Sequence, residues 1–163
     1  RLDESEVKSI DIHEGLDSTL VLLRNAIPPN VNIIKHYAEL PKIECYAGKI
    51  NQVFMNIFSN ALNAIRSKKE QENESITIST RKEGEFIIIT IKDTGIGMSE
   101  EVQQKIFDPF FTTKDVGEGT GLGLSIVFSI IEKHKGKIVV NSTPGEGAEF
   151  IIYLPLNIVN TNP

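Results

Sequence analysis

Apolar residues recur along the chain with two different periods, and these periods predict its elements. Helical spacing, with apolar residues three or four positions apart, predicts helices over 14–27, 48–70 and 122–135. Alternating or continuous apolar runs predict strands over 6–13, 31–38, 42–47, 75–82 and 85–93, and a hairpin within 136–155. This order of elements predicts an α/β fold, a two-layer sandwich of a mixed β-sheet and about three helices.

Three local features refine this prediction. The nearly unbroken apolar run over 86–91 is typical of a central strand that is buried on both faces. The stretch 94–121 has little periodicity, and an irregular segment of that length is usually a functional lid or disordered. We expect the last helix to stop at Gly136 and the tail from Leu156 onwards to fray.

Composition and charge limit the class of protein. The 163 residues suit one domain, and the 40% of hydrophobic residues can build a sizeable core. The net charge of -5 and the lack of a basic cluster argue against nucleic acid as a partner. A single cysteine, Cys45, excludes an internal disulfide and fits a reducing compartment. We therefore expect a cytoplasmic stretch without membrane contact, excised from a longer protein that can itself be membrane-anchored.

The predicted helix over 48–70 has two distinct faces. One face is apolar and consists of Phe54, Ile57, Phe58, Ala61, Leu62 and Ile65. The other face consists of Gln52, Asn56, Ser59, Asn60, Asn63 and Ser67. A solvated helix face usually carries Lys, Glu and Arg, which are better helix formers than Asn and Ser. This face is therefore either plain solvated surface or a line of carboxamides that can donate hydrogen bonds and ligate Mg²⁺.

Asp93 ends the apolar strand over 85–93 and is followed by Gly95 and Gly97. An ionised carboxylate beside a core strand needs hydrogen-bond donors, and a purine amino group is one possible donor. The alternative interpretation is a tight turn in which Asp93 bonds its own neighbouring backbone.

Glycines crowd the segment "GEGTGLGLSI", just before the predicted helix over 122–135. No Lys follows them in the Gly-Lys-Ser/Thr arrangement of phosphate loops, and their spacing differs from the dinucleotide-binding pattern. A helix N-terminus presents free N–H groups, so these glycines let an anion approach the backbone closely. A flexible linker is the alternative.

Taken in order, these segments resemble the ATP-binding fold, called the Bergerat fold, that gyrase, heat-shock chaperones and histidine kinases share. "IFDPFFTTK" (106–114) resembles the phenylalanine box of sensor histidine kinases, and "STPGEGAEFIIYLP" (142–155) resembles their last glycine box and final strand. The resemblance covers about 45 to 155. It identifies the chain as similar to the catalytic ATP-binding domain of a sensor histidine kinase.

The resemblance implies a role for each matching residue, with ATP and Mg²⁺ as cofactors. Asn60 would ligate Mg²⁺, Asn56 would lie near the phosphates, and Asp93 would accept a hydrogen bond from the adenine amino group. The remaining nucleotide contacts would come from Asn63, Gly95, Gly97, Lys114, Gly119, Thr120, Gly121, Leu122 and Gly123. Asn56 and Lys114 would be the catalytic pair, with Lys114 reaching the phosphates from a lid.

Two positions depart from the family pattern. Asn63 stands where many relatives carry a phosphate-contacting Lys, so that charge has to come from elsewhere, for example from Lys114. Ala148 stands where relatives often carry a Thr that supports the adenine site, so neither Ala148 nor Glu149 receives a ligand role.

The resemblance also implies a domain organisation and a set of partners. Residues 1–10 would be a linker from an upstream dimerisation domain, 11–156 the catalytic domain and 157–163 a tail. The chain would transfer the γ-phosphate of ATP to a His on that dimerisation domain, and the phosphate would then pass to the receiver domain of a response regulator. The full-length protein would be a homodimer, and this stretch alone a monomer.

Two other functions compete with phosphotransfer. The first is an ATP-hydrolysing conformational clamp of the same fold, which would carry a Glu at position 56 as the base for water. Asn56 favours the kinase, because an amide cannot accept a proton at neutral pH. The second is a degenerate nucleotide-binding module, against which Asn60, Asp93 and the glycines argue. None of the three histidines, His13, His36 and His134, has the setting of a phosphoacceptor.

Overall fold

A computed structural model of the chain describes residues 6–111 and 123–158. The strands are β1 (Val7–Ile10), β2 (Val31–His36), β3 (Ile43–Tyr46), β4 (Glu74–Glu83), β5 (Phe86–Asp93), β6 (Lys137–Ser142) and β7 (Ala148–Pro155). The helices are α1 (Ile12–Leu22), α2 (Ala47–Arg66), α3 (Glu100–Lys105) and α4 (Gly123–Lys133), and a 3-10 turn spans Arg24–Ala26. None of the helices in 6–111 and 123–158 combines the length and the apolar character needed to cross a membrane.

The main sheet has five strands in the order β2-β4-β5-β7-β6. β2 runs parallel to β4, whereas the pairs β4–β5, β5–β7 and β7–β6 are antiparallel, so the sheet is mixed as predicted. A separate antiparallel pair, β1 with β3, lies outside this sheet. β1 lies within the strand predicted over 6–13, and it falls in the stretch 1–10 for which the resemblance implies a linker.

One core joins the helices to the inner face of the main sheet. The helical contribution comes mainly from α2, through Ile50, Val53, Phe54, Ile57, Phe58, Ala61, Leu62 and Ile65. The sheet contributes alternate residues of β4, β5 and β7, which include Ile76, Ile78, Ile87, Ile89, Ile91, Phe150, Ile152 and Leu154. The two-layer sandwich and the apolar face of the long helix are therefore confirmed.

The prediction that the strand over 85–93 is buried on both faces is wrong for most of β5. Ile88, whose side chain alternates with the core residues Ile87 and Ile89, is buried, but Phe86 is 38% exposed and Lys92 is exposed. The reason is that β5 lies between antiparallel neighbours in a sheet whose helices cover one face.

Several predicted boundaries move. The helix over 14–27 begins at Ile12, where the Asp11 carboxylate accepts from the His13 N–H at 2.9 Å, and it ends at Leu22. The stretch 94–121 is not wholly irregular, because α3 forms within it and is capped by the Ser99 hydroxyl. Periodicity overlooked α3 because none of its residues is buried.

The end of α4 also differs from the prediction in its detail. The residue with the left-handed backbone conformation is Lys135, with φ of 61°, and not Gly136. Gly136 donates to the Ile131 carbonyl at 2.9 Å, and a Cβ at this position would collide with the Tyr153 carbonyl. A glycine is needed here for space, and the helix already ends at Lys133.

The expectation of a frayed tail is wrong for its first residues. The N–H of Leu156 donates to the Glu85 carbonyl at 2.9 Å, and its carbonyl accepts from the Glu44 N–H at 3.0 Å. Ile158 adds a bond to the Glu44 carbonyl at 3.4 Å. These bonds attach the chain after β7 to β3, which belongs to the small sheet.

Candidate functional site

The polar face of α2 lies beside the first residue of α4. The Asn56 side chain donates through Nδ2 to the Gly123 carbonyl oxygen at 3.1 Å. Gly123 is exposed, and Asn56 is half-buried. The structure therefore brings together Asn56 and Gly123, two of the predicted phosphate contacts that lie 67 positions apart in the chain.

The other two asparagines of this face differ in their contacts. Asn63 accepts through Oδ1 from the Arg66 guanidinium at 2.7 Å, and the same guanidinium donates to the Ala26 carbonyl at 2.9 Å. Asn60 is half-buried, and no residue within 6–111 or 123–158 hydrogen-bonds its side chain. Within the described part of the chain, Asn60 therefore keeps a carboxamide oxygen without a hydrogen bond, one turn from Asn56, whereas the oxygen of Asn63 accepts from Arg66.

Asp93 is a buried acceptor at the end of β5. Its exposure is 1%, and Oδ1 accepts from the Gly95 N–H at 2.8 Å and from the Ala148 N–H at 3.3 Å. Burial raises the pKa of Asp93 to about 6, although both N–H groups act in the opposite direction. Neither of these bonds uses Oδ2, so within the described residues this oxygen remains available to a donor.

The turn after Asp93 rests on the C-terminal part of α2. The Ile96 N–H donates to the Ala64 carbonyl at 3.1 Å, and a Cβ on Gly95 would lie 2.6 Å from both the Cβ and the carbonyl carbon of Ala64. Ala64 is one helical turn after Asn60. One helix therefore carries the asparagine face and also seats the turn that follows Asp93.

Gly97 and Gly147 allow the glycine turn between β6 and β7 to pack against the segment that follows Asp93. Both have positive φ, 71° and 83°. A Cβ on Gly97 would collide with the Thr143 carbonyl, and a Cβ on Gly147 would collide with the Asp93 carbonyl. In the structure these glycines, like Gly95, are required by the close approach of protein backbone.

Five predicted site residues lie outside the described residues: Lys114, Gly119, Thr120, Gly121 and Leu122. Most of the expected lid segment lies there as well. Of the aromatic residues before it, Phe107 packs against the rings of Phe128 and Phe150, with centroid distances of 5.6 and 6.5 Å. Phe110, in contrast, is 73% exposed.

Sequence reasoning missed two groups that build the site. The first is the backbone N–H of Ala148, a position to which the sequence analysis gave no ligand role because its side chain is apolar. The second is Ser142, whose hydroxyl accepts from the Met98 N–H at 2.8 Å and donates to the Gly147 carbonyl at 2.7 Å. Ser142 thereby joins the segment after Asp93 to the last glycine turn, a role that the motif over 142–155 does not indicate.

The histidines have structural environments. His13 Nε2 lies 2.8 Å from the Thr80 hydroxyl, and its ring stacks on Tyr37. His134 is buried and accepts through Nε2 from the Tyr46 N–H at 3.1 Å, so its Nδ1 carries the proton donated to the Ile130 carbonyl. Burial lowers the pKa of His134, which keeps this ring neutral between α4 and the start of α2.

Comparisons with known proteins identify the family of this chain. Residues 46–158 match the family described as histidine kinase-, DNA gyrase B-, and HSP90-like ATPase. Sensor histidine kinase ZraS of Escherichia coli O157:H7 is 38% identical over 124 residues, which cover 76% of this chain and 26% of that protein. Signal transduction histidine-protein kinase AtoS of Escherichia coli K12 is 37% identical over 155 residues, which cover 94% of this chain and 24% of that protein. The chain thus spans about a quarter of the length of these relatives.

A solved structure agrees with this chain over nearly its whole length. The catalytic domain of histidine kinase ThkA, in a nucleotide-free form, superimposes with a TM-score of 0.81 and 31% identity, covering 94% of this chain and 98% of that one. A second structure, ThkA in complex with the response regulator protein TrrA, has a TM-score of 0.77 and 29% identity, covering 94% of this chain and 43% of that one. The chain therefore belongs to the histidine kinase-, DNA gyrase B-, and HSP90-like ATPase family, as a catalytic domain of the sensor histidine kinase type.

Proposed function

We propose that this domain binds Mg-ATP and presents the γ-phosphate to a histidine on a dimerisation domain of the full-length protein. A nitrogen of that histidine attacks the γ-phosphorus, the bond to the β-phosphate oxygen breaks, and ADP leaves. The phosphate then passes to an aspartate of a response regulator. The structure of ThkA with the response regulator TrrA supports this last step by analogy with a protein of similar fold.

Asp93 would recognise the adenine. The 6-amino group of adenine is a donor, and the buried carboxylate is an acceptor whose Oδ1 is held by two backbone N–H groups. Gly95 and Gly97 would shape this pocket indirectly, because their lack of a side chain lets the turn rest on α2 and on the last glycine turn.

Asn60 is suited to ligate a Mg²⁺ ion that binds together with the nucleotide. Its oxygen is neutral, half-exposed and without a hydrogen bond from the described residues, and Mg²⁺ accepts one protein oxygen together with phosphate oxygens and water. When bound, Mg²⁺ would offset part of the charge of the polyphosphate. Asn63 would contribute less to nucleotide contact than Asn60, since Arg66 already occupies its oxygen.

The presence of Asn at position 56 is the observation that favours phosphotransfer over ATP hydrolysis. Its amide donates to the Gly123 carbonyl and cannot take a proton from water at neutral pH. Phosphoryl transfer chiefly requires positioning and charge stabilisation, and Asn56 and Asn60 would contribute to the positioning. Lys114 and the backbone of Gly119, Thr120, Gly121, Leu122 and Gly123 remain proposed phosphate contacts by family resemblance.

Phosphate transfer to a separate histidine-containing domain tests this function. The isolated domain should not label itself with γ-labelled ATP, and its ATP turnover should be slow. Mixed with the dimerisation domain of its own full-length protein, it should transfer label to a site that is stable in base and labile in acid. The Asp93→Asn variant should lose most of this transfer at low ATP concentration.

Two outcomes would contradict the proposal. The first is brisk ATP hydrolysis by the isolated domain that disappears in the Asn56→Ala variant, which would indicate a hydrolase. The second is a domain that binds no adenine nucleotide at all, which would indicate that the fold serves only as an interaction surface.

A further inference from the structure

An ion pair between the partly exposed Lys68 and the buried Glu74 lies directly behind the turn that follows Asp93. Lys68 stands just after the end of α2, and Glu74 is the first residue of β4, with only 3% of its surface exposed. Lys68 Nζ donates to Glu74 Oε1 at 2.9 Å and to Oε2 at 3.1 Å. The same ammonium group donates to the backbone carbonyl of Thr94 at 3.1 Å.

Thr94 is the third member of this cluster. Its hydroxyl donates to Glu74 Oε1 at 2.7 Å and accepts from the Ser75 N–H at 3.0 Å, and Glu74 Oε2 also accepts from the Glu72 N–H at 3.0 Å. Hydrogen bonds from Lys68 and from the Thr94 hydroxyl lower the pKa of Glu74 to about 2, so the carboxylate stays ionised. Charge-assisted bonds of this kind are strong and directional.

The cluster holds the one residue that lies between Asp93 and Gly95. Since Gly95 donates to Asp93 Oδ1, a shift of Thr94 changes both the direction of the carboxylate and the bond that orients it. A second attachment, the bond from the Ile96 N–H to Ala64, ties the same turn to α2. Further bonds run from the Thr94 N–H to the Ser75 carbonyl at 3.2 Å and from the Gly145 N–H to the Ile96 carbonyl at 2.6 Å. Among these attachments, the Lys68 cluster is the one that holds the Thr94 carbonyl and side chain.

We infer that Lys68, Glu74 and Thr94 are positioning residues for recognition of the 6-amino group of adenine. They contact no part of the nucleotide; they act through Asp93 by fixing the backbone on which its carboxylate is mounted. The inference rests on the proposed function, because it assigns these residues to the adenine end of that same site.

Fold stability alone does not account for such a cluster. A buried ion pair costs desolvation, and its replacement by neutral side chains of similar size is often harmless to stability. The two charged residues hold Thr94 from two sides, because Lys68 donates to its backbone carbonyl and Glu74 accepts from its hydroxyl. Because this arrangement fixes the Thr94 carbonyl beside the buried Asp93, its role is better explained as setting the direction of the Asp93 carboxylate.

The test compares ATP with purine riboside triphosphate, which differs from ATP only by lacking the 6-amino group. The ratio of the two affinities, measured by calorimetry, reports the contact between that amino group and Asp93. In the Lys68→Met/Glu74→Gln double variant, which leaves no unpaired charge, ATP affinity should fall about tenfold while the affinity of the analogue changes little. The ratio should therefore fall by nearly the same factor.

Matched variants separate positioning from stability. Thr94→Val removes the hydroxyl at constant shape and should lower the ratio, whereas Thr94→Ser keeps the hydroxyl and should preserve it. Lys35→Met removes a cation that pairs with Asp17 at 2.8 Å, away from the turn, and should leave the ratio unchanged. Combined with Asp93→Asn, the double variant should cause little further loss, because residues that act through one group are not additive.

Each of the other possible outcomes would overturn a specific part of this inference or of the proposed function. Folded variants with an unchanged ratio, or with equal losses for ATP and the analogue, would show that the cluster is only structural. Effects that add fully to Asp93→Asn would show that it does not act through Asp93. A wild-type domain that binds ATP no better than the analogue would overturn the assignment of Asp93 itself, and one that binds neither would overturn the proposed function.

Discussion

At the residue scale, Asp93 meets opposite demands from binding and from folding. Its carboxylate is buried and takes two hydrogen bonds on one oxygen, and burial raises its pKa to about 6. Recognition of an amino donor favours the ionised form, while folding of the free domain favours the protonated form. The physical reason is the same in both cases, because a buried charge is stable only when it has enough donors.

The first consequence is a pH dependence of nucleotide affinity. The affinity for Mg-ATP should fall as the pH is lowered through about 6, because Asp93 then binds a proton. Asp93→Asn should weaken binding by about 5- to 150-fold at pH 7.5, since an amide donor can replace the acceptor that faces the amino group. Calorimetry should compare the affinities of wild type and Asp93→Asn at each pH. Titration of the ATP phosphates affects both proteins equally, so the difference between them reports Asp93. A parallel decline in wild type and variant would contradict the assignment.

Titration of Asp93 should affect the free energy of unfolding in the opposite direction from nucleotide affinity. A folded-state pKa of about 6, against an ordinary value of 3.8 for an aspartate, means that the folded state binds more protons than the unfolded state between these limits. The free energy of unfolding contributed by Asp93 is therefore present below pH 4 and is lost as the pH rises through 6, by about 3 kcal/mol. Urea unfolding of the free domain should show this loss relative to Asp93→Asn, which lacks the titrating group.

At the scale of elements, α2 connects the two ends of the proposed site. Its apolar face is buried in the core, its asparagine face includes Asn56 and Asn60, and its C-terminal part seats the turn after Asp93. Because this turn and the asparagines rest on one helix, the distance from Asp93 to Asn56 and Asn60, the two ends of the proposed site, would depend little on loop conformation.

Close packing of Gly95 against Ala64 makes this seat sensitive to a single methyl group. Gly95→Ala would place a Cβ 2.6 Å from Ala64, so either the turn or the helix must shift. We expect a loss of about 1–3 kcal/mol in stability from this overpacking, together with a loss of ATP affinity of tenfold or more. Denaturant unfolding and calorimetry measure the two effects.

Gly84→Ala is the matched control for this prediction. Gly84 has φ of 60° in the β4–β5 hairpin, and a Cβ there would meet no atom within 4 Å. Its substitution should cost about 1–2 kcal/mol through backbone strain and leave ATP affinity unchanged. Wild-type affinity in Gly95→Ala would show that the seat on α2 does not control the site.

At the scale of the whole molecule, the chain after β7 links the main sheet to the small one. Leu156 bonds to Glu85 at the β4–β5 hairpin and to Glu44 in β3, and Ile158 bonds to Glu44 as well. β3 pairs with β1 and leads directly into α2. These bonds therefore hold the start of the long helix through the small sheet.

Two truncations test this link. A chain that ends at Pro155 should be less stable than the full chain by about 1–3 kcal/mol, because it loses the two bonds of Leu156 and the burial of its side chain against the core. A chain that ends at Ile158 keeps these contacts, so its unfolding midpoint should lie at nearly the same denaturant concentration as that of the full chain. Equal stability of the two truncated chains would show that residues 156–158 contribute nothing to the fold.

Prediction from the sequence succeeded where a structure is determined by local periodicity. The two faces of α2, the strand that ends at Asp93 and the layered sheet all follow from the spacing of apolar residues, since that spacing decides which side of an element avoids water. It failed at α3, which buries no residue, and at the outer face of β5, since a continuous apolar run does not reveal whether a second layer covers the strand.

The tertiary structure alone decided how the site is held together. The Ala148 N–H at Asp93, the fit of Gly95 on Ala64 and the meeting of Lys68, Glu74 and Thr94 each join segments that are far apart in the chain. Periodicity states that a face is buried but does not name the atoms that it meets. Hydrogen bonds and close contacts depend on distances of a few tenths of an ångström, and those distances exist only after the sheet and the helices have packed.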